Sequence, residues 1–224
     1  MLLYEANNLG KDYALDGASI AVLRDITLKI KTGAFLAITG ASGSGKSTLL
    51  NLIGFLDTPS RGALKFCGDD TGGLTQNALA ALRNAAIGFV FQSFQLLPRL
   101  SATENVELPL IYRGISPKAR RARAAAALVK VGLEHRLTHL PTQLSGGEQQ
   151  RVAVARAIVN DPRVILADEP TGSLDTSTGN EIMDVLGELH ADGTTIVIVT
   201  HSPEVAARAG ERIVLTDGRI LSHA

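Results

Sequence analysis

The sequence has a single cysteine, no run of about eighteen apolar residues, no net charge and no internal repeat. One cysteine excludes an internal disulfide, and Cys67, with no histidine beside it, reads as a small buried or half-buried residue without chemistry of its own. The missing apolar run excludes a membrane-spanning helix. Met1-Leu2-Leu3-Tyr4-Glu5 lacks the basic-then-apolar plan of a secretion signal, so the chain is expected to stay in the cytoplasm. With 22 basic against 22 acidic residues there is no global pull toward nucleic acid or an anionic membrane, and no nucleic-acid partner is expected. No linker separates independent domains, and 224 residues suit one compact unit.

What is present is a phosphate loop. Gly40-Ala41-Ser42-Gly43-Ser44-Gly45-Lys46-Ser47 fits G-x-x-x-x-G-K-[ST] and follows Phe35-Leu36-Ala37-Ile38-Thr39, a buried strand by pattern. The order matters: a strand delivers the chain to a tight turn whose N–H groups converge on phosphate oxygens at the start of a helix. Lys46 supplies a point charge for the β- and γ-phosphates and Ser47 a hydroxyl for Mg²⁺. From Thr48 to Ile53 the chain continues as a helix with apolar positions for packing.

Short strands are expected at Leu2 to Ala6, Val22 to Ile30 and Ala63 to Cys67, joined by Gly- and Asp-rich turns in an antiparallel opening third. Continuous apolar runs at Leu36 to Thr39, Ile87 to Phe91, Val164 to Ala167, Ile196 to Val199 and Ile213 to Leu215 predict a parallel core instead. Several alternate with helices, which makes the chain an α/β protein. Between Gln92 and Asn160 the strands stop and helices take over, among them Pro117 to Val131 and Glu148 to Val159.

A second anion cradle follows. In Leu144-Ser145-Gly146-Gly147-Glu148, Ser145 reads as an N-cap, and the turn aims free N–H groups and a helix dipole at an anion, without a lysine of its own. One physical solution is that this cradle serves a nucleotide held by a second copy of the chain. The basic run Lys118, Arg120, Arg121, Arg123 reads as a solvated helix face, with phosphate contact as the alternative. His135 and His139, without a third ligand, read as surface histidines.

Leu144 to Glu148 resembles the signature motif of ATP-binding cassette (ABC) ATPases, and the chain resembles that family from end to end, with the phosphate loop (Walker A), signature and Walker B in the family's order. The resemblance implies a P-loop NTPase of ABC type, with a RecA-like parallel core sheet, an N-terminal antiparallel β subdomain and an inserted helical subdomain. It implies one ATPase domain over 1–224, with 1–92 and 160–224 as nucleotide-binding core and 93–159 as helical signature subdomain. Val164 to Glu169 looks like the Walker B strand, so that Asp168 would hold Mg²⁺ through water and Glu169 would polarise the attacking water. By the same resemblance Gln92 would contact Mg²⁺ and water, and His201 the γ-phosphate. Tyr13 would stack on adenine, although Tyr4 is also available. Ser173-Leu174-Asp175 looks like the loop that crosses the dimer seam, which places Asp175 at the nucleotide.

The implied working unit is a homodimeric sandwich with ATP and Mg²⁺, each ATP lying between the Gly40–Thr48 region of one copy and Ser145, Gly146, Gly147 and Glu148 of the other. Gly88 to Pro98 together with Ala167 to Gly172 resembles the branch containing the MacB macrolide-efflux and LolD lipoprotein-release ATPases. That branch implies integral membrane subunits as partners, a place on the cytoplasmic face of the inner membrane, and an export, lipoprotein-release or mechanotransmission role. It also contains a cell-division ATPase, so a regulatory role is the alternative; a soluble nucleic-acid ATPase is disfavoured by the short Gln92 to Ser145 spacing and the neutral charge. Glu148 stands where Gln is common, and Ser173 where Asn is common. The segment Ser93 to Gly114 is rich in Phe, Leu, Ile and Pro, and reads equally as a docking surface for the membrane partner and as core of the helical subdomain.

Overall fold

In chain order the elements are β1 (Leu2–Leu15), β2 (Ala18–Lys31), β3 (Phe35–Thr39), α1 (Lys46–Ile53), β4 (Arg61–Phe66), β5 (Asp69–Asp70), α2 (Gln76–Ala86), β6 (Ile87–Phe91), α3 (Ala102–Tyr112), α4 (Pro117–Lys130), α5 (Gly146–Ile158), β7 (Val164–Asp168), α6 (Thr176–Ala191), β8 (Thr195–Val199), α7 (Pro203–Ala206), β9 (Glu211–Thr216) and β10 (Arg219–His223). The computed structural model describes residues 1–15 and 18–223. They fall into two compact units, Met1–Ala81 with Thr195–Ala224, and Leu82–Thr194.

In the first unit an antiparallel sheet runs in the order β2-β1-β4-β5. Its first strand does not stop at Ala6. Register shifts between Ala6 and Leu9, Leu9 and Lys11, and Lys11 and Asp12 let the strand absorb Asn7, Asn8 and Gly10, which read as a turn in sequence, so β1 and β2 form one long hairpin. Cys67 lies past the end of β4 in a turn at φ 55°, half-buried. Also in this unit β3 lies between β8 and β9, parallel to both, and β10 closes antiparallel on β9. All five residues of β3 and of β8 are buried, as expected of strands covered on both faces.

In the second unit β6 and β7 pair in parallel. Helices α3, α4 and α5 pack on one another around Val106, Leu110, Ala124, Leu128, Val152 and Ala155, each fully buried. The first turn of α5 begins at Gly146, two residues before the expected start, because Ser145 and Glu148 form a capping box. The solvated-face reading of α4 fails at Arg120, which donates from Nε to Oε2 of the buried Glu107 at 2.8 Å, with Arg121 3.7 Å from the other oxygen. His135 is exposed, but His139 is half-buried, with Nε2 3.3 Å from Nη1 of Arg136, so the surface reading holds for the first and not the second. Among the described residues no helix is long and apolar enough to cross a membrane.

Candidate functional site

The phosphate loop is built by β3, which ends at Thr39, and by α1, which opens with Lys46. Gly40 sits at φ 150°, and a side chain there would run into the carbonyl of Leu215, so the turn admits only glycine. Lys46 Nζ curls over the loop and donates to the carbonyls of Gly40 (3.0 Å) and Ala41 (2.8 Å). The buried Ser44 Oγ has no hydrogen-bond partner among the described residues, and Ser47 is exposed. A positive end of a helix, an ammonium drawn over the loop and an unsatisfied hydroxyl around one glycine turn match a polyphosphate.

Strand register brings His201 to the same rim. Ile38 pairs with Val199, and the N–H of Thr200 bonds the carbonyl of Ile38 at 3.1 Å. Gly40 and His201 therefore leave neighbouring parallel strands at one level, with His201 exposed. The two tyrosines differ in exposure. Tyr4 is 1% exposed and packs on Phe66 with ring centroids 5.0 Å apart, while Tyr13 is 38% exposed.

In the second unit Phe91 and Asp168 are register partners, so Gln92 and Glu169 emerge side by side from the carboxyl ends of β6 and β7. Glu169 takes φ 46°, a left-handed conformation that costs a residue with a side chain about 1–2 kcal/mol. Its neighbours hold it there. Gln150, wholly buried in α5, donates Nε2 to the carbonyls of Pro170 (2.5 Å) and Phe91 (3.3 Å), tying both strand ends to the signature helix. The backbone beyond Gln92 is shaped by Arg156, whose guanidinium donates to the carbonyls of Phe94 (2.8 Å) and Gln95 (2.6 Å), both at positive φ. Burial lowers the pKa of that guanidinium.

Ser145 caps α5: Oγ accepts from the Glu148 N–H at 3.2 Å, and Glu148 Oε2 accepts from the Ser145 N–H at 2.8 Å. The other oxygen of Glu148 takes Arg136 Nε at 2.8 Å. These bonds, led by the Ser145 N–H, hold the carboxyl below the usual glutamate range. Gly147 packs so closely on the methyl of Thr178 that any side chain would collide. Asp175 caps α6, accepting from the Thr178 N–H (3.0 Å) and hydroxyl (2.6 Å), and the Thr178 bonds lower its pKa.

Residues 23–172 match the ABC transporter family. The chain belongs to that family. The ABC transporter ATP-binding protein YknY of Bacillus subtilis strain 168 is 52% identical over 219 residues, covering 98% of this chain and 95% of the relative. MacB of Rhodopseudomonas palustris strain BisB18, a macrolide export ATP-binding/permease protein, is 51% identical over 214 residues, 96% of this chain but 33% of the relative. The chain thus spans about a third of MacB. Among solved structures, a dimeric post-hydrolysis state of the ATP-binding cassette MJ0796 bound to ADP and Pi superposes with TM-score 0.91 at 45% identity, covering 99% of this chain and 97% of that one.

As an ABC ATPase the chain hydrolyses ATP to ADP and phosphate with Mg²⁺. The groups expected to hold that ion are hard oxygen donors of the kind Mg²⁺ prefers: the hydroxyl of Ser47 in the first unit, and the amide of Gln92 and the carboxylate of Asp168 in the second. Gln150, Arg136 and Arg156 carry no motif signal by themselves. Each acts on partners 12 to 62 positions away, and none of them entered the sequence-based site.

Proposed function

We propose that the chain is the ATP-driven motor of an export or lipoprotein-release machine of the mechanotransmission type, working as a homodimer on an integral membrane partner from the cytoplasmic face of the inner membrane. The observation that carries this reading is the 51% identity with MacB over 96% of this chain and 33% of the relative. Within it, 1–92 and 160–224 serve as nucleotide-binding core and 93–159 as helical signature subdomain.

The residues divide the work as follows. Tyr13 stacks on adenine, and the loop from Gly40 to Thr48 cradles the phosphates with Lys46 over the γ-phosphate. Ser47, Gln92 and Asp168 would hold Mg²⁺, which when bound offsets phosphate charge. Glu169 accepts a proton from water as that oxygen attacks the γ-phosphorus in line, and the electrons of the breaking bond pass to the β-phosphate oxygen of ADP. His201 donates to the γ-phosphate oxygens as charge develops. Ser145, Gly146 and Gly147 of a second copy cap the same phosphates, with Glu148 fixing the cap and Asp175 at the seam. ATP closes the dimer and hydrolysis opens it.

The test is capture of the partner. A tagged Glu169→Gln chain, incubated with Mg-ATP and detergent-solubilised membranes, should retain a membrane protein with few spans and a large extracytoplasmic domain, identified by mass spectrometry. An intact ATP-bound dimer that retains no membrane protein overturns the transporter reading. A partner that controls cell-wall enzymes would favour regulation over export.

A further inference from the structure

Tyr13 projects from β1 with its ring 38% exposed, and an exposed ring on a hairpin would ordinarily sample several rotamers. This one is clamped. Its hydroxyl donates to Asp57 Oδ2 at 2.8 Å, across 44 positions of sequence. The other carboxylate oxygen accepts from Lys11 Nζ at 2.6 Å and from the Thr58 N–H at 2.7 Å. Lys11, itself only 9% exposed, lies over the tyrosine with its ammonium 4.9 Å from the ring centroid, and also donates to the Thr58 carbonyl at 2.9 Å. The cation occupies one ring face and leaves the other for a stacking partner.

Asp57 is tied to the phosphate-loop helix. The N–H groups of Leu56 and Asp57 both bond the carbonyl of Asn51 in α1, at 2.9 and 3.3 Å. The helix that opens on Lys46 thus anchors, just past its last turn, the group that fixes Tyr13. Burial opposes the charged form of Asp57, yet the bonds from Lys11, Tyr13 and the Thr58 N–H outweigh it and leave the carboxyl below its ordinary range.

We infer that Asp57 is a positioning residue: together with Lys11 it presets the Tyr13 ring as a rigid platform for the nucleotide base, referenced to the same helix that positions the phosphates. A preset ring lowers the ordering cost of stacking, and that gain appears in affinity. The inference rests on the reading of Tyr13 as the adenine-stacking residue.

The experiment measures, by titration calorimetry with Mg²⁺, the binding of ATP and of inorganic tripolyphosphate, which has the phosphates and no base. Tyr13→Ala should weaken ATP binding about tenfold, the scale of one base–aromatic stack. Tyr13→Phe keeps the ring and removes only the hydroxyl; it and Asp57→Ala should each weaken ATP about three- to fivefold, and the double variant should lose no more than the larger single change. Tripolyphosphate affinity should stay within about twofold throughout. In steady-state kinetics KM should rise while kcat moves less than about twofold.

If Tyr13→Ala binds ATP normally, the platform reading itself is wrong. If Tyr13→Ala weakens ATP while Tyr13→Phe and Asp57→Ala do not, the platform stands and the positioning role of Asp57 is overturned. Equal loss of ATP and tripolyphosphate in Asp57→Ala also overturns it, since the carboxylate would then act on the helix and loop rather than through the ring.

Discussion

Phe91 and Asp168 face each other across the parallel pair β6 and β7, and this single register sets Gln92 beside Glu169 at the carboxyl edge. A polar amide and a carboxylate leaving adjacent strands at one level is the arrangement in which one water can be held and deprotonated.

Glu169→Gln should therefore lower ATP turnover by about 10²–10⁴ and leave ATP binding intact, because the amide keeps the shape and loses the basic oxygen. Phosphate release and equilibrium nucleotide binding, measured on the same preparation, check both halves. Turnover at the parental rate removes Glu169 from its assigned role.

Lys46→Ala should act on binding. Losing the ammonium that now bridges the Gly40 and Ala41 carbonyls should weaken ATP roughly ten- to a hundredfold, the worth of one charge-assisted contact. Calorimetry with Mg-ATP reads this directly, and unchanged affinity argues against the loop as the phosphate cradle.

Gly147→Ala should destabilise the fold by about 1–3 kcal/mol, since the new methyl overlaps Thr178 Cγ2 at the start of α5. Adding Thr178→Ser should recover much of the loss: it removes that methyl and keeps the hydroxyl that bonds Asp175 at 2.6 Å. Urea unfolding of the two variants and the parent measures the rescue; no rescue means that the overlap is not with Thr178.

Glu148→Ala should lower stability by about 1 kcal/mol at neutral pH through loss of the cap. The pKa of Glu148 is depressed in the folded chain, chiefly by the Ser145 N–H, with Arg136 adding to it. Its contribution is therefore full above the unfolded-state value, about 4.3, and disappears as pH falls through the lower folded-state value. The gap between parent and variant in denaturant unfolding should narrow in acid, and a gap that widens there contradicts the capping account.

The features read well from the sequence were those in which chemistry depends on near neighbours. Gly40 to Ser47 announces its turn because glycine geometry, lysine charge and helix start all lie within one loop. Ser145 announced a cap for the same reason, although the role of Glu148, two oxygens serving the Ser145 N–H and Arg136, came only with the structure. The long β1–β2 hairpin was missed because bulges hide strand continuity behind turn-forming residues such as Asn7, Asn8 and Gly10. Helix α6 was missed because Thr176, Ser177, Thr178 and Gly179 are weak helix formers, overridden by the Asp175 cap and by burial of Ile182, Met183 and Leu186.

Local pattern by itself pointed to a phosphate-binding loop at Gly40 to Ser47, since a motif is a set of groups that the backbone connects within a few residues. Tertiary structure alone decided that Tyr13 and not Tyr4 is open to a base, that Asp57 and Lys11 hold it, and that Arg120 belongs to buried Glu107. The bonds from Tyr13 and Lys11 to Asp57 and from Arg120 to Glu107 join residues 13 to 46 positions apart, and no short-range pattern encodes them. Their energies depend on burial and distance, which exist only once the strands have chosen their register and the helices their neighbours.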